Sequence, residues 1–99
     1  MTAIPFYIVI DQYDGEDYVI DRPVADCTRA SIVADIASGE IRDMTRVIEV
    51  GSGRDVTEDF ARAVMQTWAE ADEPLTDYQR DFVEQHIGIA AANAFRRAA

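Results

Sequence analysis

Apolar residues occur on both sides of the alternation that opens the chain. In PFYIVIDQ, Phe6, Ile8 and Ile10 fall on one side of an extended strand, and Tyr7 and Val9 on the other. Apolar residues on both sides predict a central strand, or one covered on both faces. Asp14-Gly15 follows, and glycine's tolerance of positive φ makes this pair a hairpin turn. DYVIDR is then the returning strand, stopped by Pro23.

The period next changes from two to nearly four. ADCTRASIVADIASGE places Ile32, Val33, Ile36 and Ala37 on one helical stripe. Asp26 or Thr28 can cap its start, and Gly39 stands where a helix-ending glycine belongs. MTRVIEV predicts a third strand around Arg46 to Val50, ended by Gly51-Ser52-Gly53. Asp55-Val56-Thr57-Glu58 offers a capping box, with Thr57 as the competing cap. The helix behind it carries Phe60, Val64 and Trp68, flanked by Ala61, Met65 and Ala69, and ends before Pro74. Thr76-Asp77-Tyr78-Gln79 is a second capping box, opening a helix with Tyr78, Phe82, Val83 and Ile87 on its apolar side. Gly88 weakens or ends that helix. IAAANAFRRAA is helical by propensity, and either continues the last helix or forms another.

The order β-β-α-β-α-α predicts an α+β fold. The first two strands pair as a hairpin. A helical crossover returns the third strand parallel to the second and on the far side of the first, giving a three-stranded sheet of order 2-1-3 packed by helices. At 99 residues the expectation is a single domain, 1–99, with 89–99 as a helical tail. The 48% apolar content is that of a globular chain. No apolar run approaches the roughly 20 residues a membrane-spanning helix needs. MTAIPFYIVI lacks a basic region and a small-residue cleavage site, so it reads as no signal peptide. The single Cys27 forms no internal disulfide, which suits a reducing cytoplasm.

Charge adds more than composition does. Nineteen acids face nine bases, for a net charge of −10, and all nine bases are arginine. The acids are unevenly placed: residues 1–21 hold five and no base, and residues 55–84 hold nine against two arginines. The surface acids Asp11, Asp14, Glu16, Asp17 and Asp21, with Glu70, Asp72, Glu73, Asp77, Asp81 and Glu84, are the expected partner-binding residues. Such a charge repels nucleic acid and anionic lipid and admits a protein with a basic surface.

Catalytic and metal-binding patterns fare worse. DQYDGEDYVID resembles a calcium loop only in its acid content; it lacks alternate-position ligands before the glycine and the distant glutamate. Nothing marks a desolvated carboxylate of the kind acid–base catalysis requires. Gly51-Ser52-Gly53-Arg54 precedes a helix, yet matches no phosphate-binding motif, and Asp55, Glu58 and Asp59 would repel an anion there. His86 is the only histidine and sits beside an apolar stripe. Cys27 adjoins Asp26 and has no base in view. Ser31, Ser38 and Ser52 lie in no nucleophile motif. No catalytic residue, metal or cofactor is therefore assigned. Trp68, with Phe60, Val64 and Met65, reads as core rather than as an exposed groove. Phe95, Arg96 and Arg97 form a candidate dimer or partner contact.

GEIRDMTRVIEV, GRDVTEDFARAV and FVEQHIG together resemble a group of small uncharacterised alphaproteobacterial proteins. These share a hairpin, a G-x-[YI]-x-x-P-x-RV segment, an RDV[ST]ED[IV]A motif and a short C-terminal helix. The resemblance spans about residues 4 to 88. Met44-Thr45 stands where that group has its proline, and the alanine-rich tail passes its usual end. The group carries no known activity, so the resemblance transfers no functional residue; it implies a bacterial, cytosolic setting.

Three functions remain in view. The leading expectation is a non-enzymatic protein-binding or regulatory module, monomeric or homodimeric, acting through its acidic surface. The second is a phage or mobile-element inhibitor of the anti-CRISPR type. It would mimic nucleic-acid charge and block a nucleic-acid-binding protein, provided the two acidic segments share one face. The third is an enzyme, which would need a pocket holding a desolvated acid beside His86 or Cys27.

Overall fold

The computed structural model describes residues 5–71, 73, 74 and 76–90. Two compact units divide the chain, 1–57 and 58–99. The first contains β1 (Tyr7–Tyr13), β2 (Glu16–Val19), α1 (Arg29–Ser38) and β3 (Met44–Glu49). α2 (Thr57–Glu70) begins at the boundary, and α3 (Asp77–His86) lies in the second unit. The fold is α+β, with a wholly antiparallel three-stranded sheet of order β2-β1-β3. Both the central position of β1 and the strand order are those the sequence predicts.

Within the sheet the alternation of β1 decides what is buried. Val9 and Asp11 are buried, and Val9 pairs with the buried Val47 of β3. Phe6, Ile8 and Ile10 point to the other, more open face, where Ile8 pairs with Ile48 and Ile10 with Val19. β3 starts two residues earlier than the sequence pattern suggests. The reason is a bulge: Ile10 pairs with Arg46 but Asp11 with Met44, which leaves Thr45 as the extra residue. The Thr45 hydroxyl donates to the Ile10 carbonyl at 3.1 Å. The extra residue resets the alternation, so Met44 and Val47 are both buried although three apart. A period-two pattern misses this.

The outer edge of β3 is closed by the loop that follows it. Glu49 N donates to the Arg54 carbonyl and Val56 N to the Val47 carbonyl, both at 2.9 Å. Val47 N donates to the Thr57 hydroxyl, also at 2.9 Å. A side-chain oxygen thus stands where a fourth strand's carbonyl would be. The hairpin turn places both Asp14 (φ 52°) and Gly15 (φ 79°) in the left-handed region, the requirement of the tight turn that matches strand twist.

Before α1 lies one 3-10 turn, Val24–Asp26, which takes Asp26 out of contention as a cap. Thr28 caps α1 by accepting from Ser31 N, and Gly39, at φ 89°, ends it. Ile32 and Ile36, one turn apart, are the buried residues of this helix. Arg22 ties the turn to the helix. Its guanidinium donates to the Asp26 carbonyl at 2.9 Å and pairs with Asp35 at 2.6 Å.

In the second unit, α2 buries Phe60, Ala61, Val64 and Trp68, and α3 buries Phe82 and Val83. Trp68 meets Phe82 edge-on, with ring centroids 5.3 Å apart. This T-shaped arrangement sets the positive ring edge against the negative face. Phe82 also contacts the His86 ring at 4.7 Å, which explains the histidine's place beside the stripe. The Thr76–Gln79 capping box forms in full. Gly88 N reaches back to the Val83 carbonyl at 3.0 Å, where α3 has ended. The expected tail beyond Ala90, with Phe95, Arg96 and Arg97, lies outside the described residues.

Candidate functional site

Of the acids expected on the hairpin surface, Asp14, Glu16, Asp17 and Asp21 are exposed. Among the described residues, none of these four has a cationic partner. Asp11 departs from the expectation, for it is only 7% exposed. Its position two residues after Val9 puts it on the buried side of β1, and that spacing was readable beforehand. Asp11 Oδ1 accepts from Gln12 N at 2.7 Å.

Register assembles the rest of the hairpin site. Asp11 pairs with Tyr18, and Tyr13 with Glu16. Because residues 11 and 13 share a side of β1, both tyrosines and Glu16 lie on one face of the hairpin. Tyr13 is 75% exposed and Tyr18 47%. Tyr13, Glu16, Asp17 and Tyr18 line an open depression of about 350 Å³. Desolvation raises the Tyr18 phenol above its ordinary value, and the negative charges of Asp11 and Asp43 push it further the same way. Asp43 belongs to this neighbourhood through its carbonyl, which accepts from Gln12 N at 3.3 Å. The sequence pattern alone does not single out the two tyrosines. Their signal was their placement on either side of Asp14-Gly15, in register to share a face.

In the second unit, Glu70, Glu73, Asp77 and Asp81 are exposed and Glu84 is half-buried. This surface is partly compensated. Arg80 pairs with Asp77, and Arg62 pairs with Glu58 at 2.9 Å. Asp72 lies outside the described residues.

The remaining candidates are committed locally. In the Gly51–Arg54 loop, the Ser52 hydroxyl donates to Glu49 at 2.6 Å and accepts from Arg54 N at 3.2 Å. At the start of α2, Asp55 Oδ1 accepts from both Thr57 N and the Thr57 hydroxyl. Those bonds, first from the hydroxyl and then from the amide, hold the Asp55 carboxyl below its ordinary value. The expected box from Asp55 to Glu58 does not form, because Glu58 turns to Arg62. The Cys27 thiol donates to the Pro23 carbonyl at 3.4 Å. Among the described residues, no three metal-ligating side chains converge, and no helix is long and apolar enough to cross a membrane.

Compared with known proteins, the chain matches no family model, no curated protein and no solved structure at a significant level.

Proposed function

We propose that this chain is a small, non-enzymatic protein-binding or regulatory module whose partner presents a basic surface. The observation that supports this reading is the hairpin. Its exposed acids, Asp14, Glu16, Asp17 and Asp21, lack counter-charges among the described residues, and two exposed tyrosine rings stand beside them. Uncompensated surface charge is free to meet charge on another molecule and speeds that encounter. Exposed aromatic rings supply contact area at small entropic cost. The alphaproteobacterial resemblance supports a bacterial setting for that partner.

The test is affinity capture from a bacterial lysate at about 0.05 M and about 0.3 M salt, since screening shortens the reach of exposed charges over that range. A fourfold-neutralised hairpin (D14N/E16Q/D17N/D21N) runs in parallel. A partner held by the wild type at low salt, and lost both at high salt and by the neutralised form, supports the reading. Partners held equally by both forms at both salts refute it.

A further inference from the structure

We propose that the depression on the β1–β2 hairpin receives one arginine side chain of the partner protein. Its guanidinium would lie against the rings of Tyr13 and Tyr18 and face the carboxylate of Glu16, which shares their side of the hairpin. The inference rests on the protein-binding reading above and names the point of contact.

Three observations converge on a planar cation. First, the walls are chemically mixed: the two tyrosines and the Glu16 carboxylate share one face, and no basic residue lines the depression. Aromatic faces attract cations, and carboxylates accept paired N–H donors from a guanidinium. Second, the charge continues behind the walls. Asp11, 7% exposed and pairing with Tyr18 across the strands, lies under the site, and Asp43 acts on the same phenol. Neither Asp11 nor Asp43 has an ion-pair partner among the described residues, so both add negative charge near the Tyr18 ring. Third, the depression is open and of about 350 Å³, room enough for one side chain laid against the rings. The openness of the depression selects arginine over lysine. An ammonium in an open site keeps much of its hydration, whereas a guanidinium is weakly hydrated and stacks on rings. A second copy of this hairpin is disfavoured as occupant, since its own residues 11–21 bring five acids and no base.

The experiment is an amide-resolved NMR titration of the full chain with a capped Gly-Arg-Gly peptide. Peptides with lysine or with citrulline at the central position serve as controls. Shifts are expected at the amides of residues 11–19, weaker with lysine and absent with citrulline. Tyr13→Ser and Glu16→Gln, both exposed and outside the core, should each weaken the arginine affinity about two- to fivefold. Their unchanged spectra elsewhere would show that the fold persists. Equal shifts with citrulline, or equal affinity for lysine, overturn the assignment. So does a silent hairpin. In that last case a nona-arginine peptide separates the two ideas. If it binds elsewhere in a salt-dependent way, the acidic-surface reading stands without this site; if it does not bind, both fall.

Discussion

Replacing Thr57 by valine tests the closure of the β3 edge most directly. The Thr57 hydroxyl accepts from Val47 N at 2.9 Å and donates to Asp55. Valine keeps the volume and removes both bonds. Val47 is fully buried, so its amide is left without water to replace the lost acceptor. An unpaired buried donor costs about 1–3 kcal/mol, and losing the exposed Asp55 bond adds about 0.5 kcal/mol. The expected loss is therefore about 2 kcal/mol. With a urea slope of about 1–1.5 kcal/mol/M, the midpoint should fall by about 1.5 M. Far-UV circular dichroism reads the transition, and hydrogen exchange at the Val47 amide reads the site itself. Thr57→Ser keeps the hydroxyl and should stay within about 0.5 kcal/mol of the wild type. The same change has a signature in pH. Asp55 is held below its unfolded value, so its contribution is present above pH ~3.9 and is lost as pH falls through the lower folded value. Without the hydroxyl, the Asp55 titration should move up and the acid limb of stability should flatten. A Thr57→Val protein with unchanged stability and unchanged Val47 protection would refute the reasoning, as would equal damage from Thr57→Ser.

Other outcomes follow from single contacts. Arg22→Met should cost about 1–2 kcal/mol by chemical denaturation, because a charged donor to the Asp26 carbonyl and the pair with Asp35 are lost together. A double-mutant cycle with Asp35→Asn should then show that the two changes are not additive. Phe82→Ala should cost about 3–5 kcal/mol and Phe82→Leu much less, with Trp68 fluorescence reporting the loss of its edge-on neighbour. Gly15→Ala should cost about 1–2 kcal/mol, measured by thermal unfolding, although open space surrounds the position, because its φ of 79° is unfavourable for any residue with a Cβ.

Much of this architecture was readable because local and tertiary preferences agree. Asp14-Gly15 marks a turn, and the turn is there. Thr28, Gly39 and Thr76 mark helix ends, and each does its expected work. Phe60, Val64 and Trp68 recur at helical spacing and are buried together. The misses share one cause, since each depends on a partner distant in sequence. Thr45 becomes a bulge only because Ile10 and Asp11 of β1 lie beside it. Thr57 closes the β3 edge only because Val47, ten residues earlier, lies beside it. The candidate site was half legible. The acids of residues 11–21 stand out in composition, but the two tyrosines gain meaning only from the register that brings them to one face. Asp11 is the instructive case. Its charge argues for the surface and its position argues for the interior, and position prevails.

The two edges of the sheet are treated differently, and the difference bears on function. On β3, residues 54–57 satisfy the outward-facing groups with a carbonyl, an amide and a hydroxyl. On β2, all four residues are exposed, and among the described residues no strand pairs on its outer side. An open edge invites pairing with another chain, and charge is one device that limits it. β2 carries Glu16 and Asp17 next to the Asp14 turn. Two copies pairing antiparallel along this edge with full overlap would set Glu16 opposite Val19 and Asp17 opposite Tyr18, so a second copy is opposed by net charge rather than by carboxylates directly across from each other. The same charges favour approach by a basic segment. An edge whose net charge opposes its own copy and attracts the opposite charge gains selectivity from charge. On the protein-binding proposal, a basic partner would engage the first unit at the hairpin rather than at the closed side of the sheet.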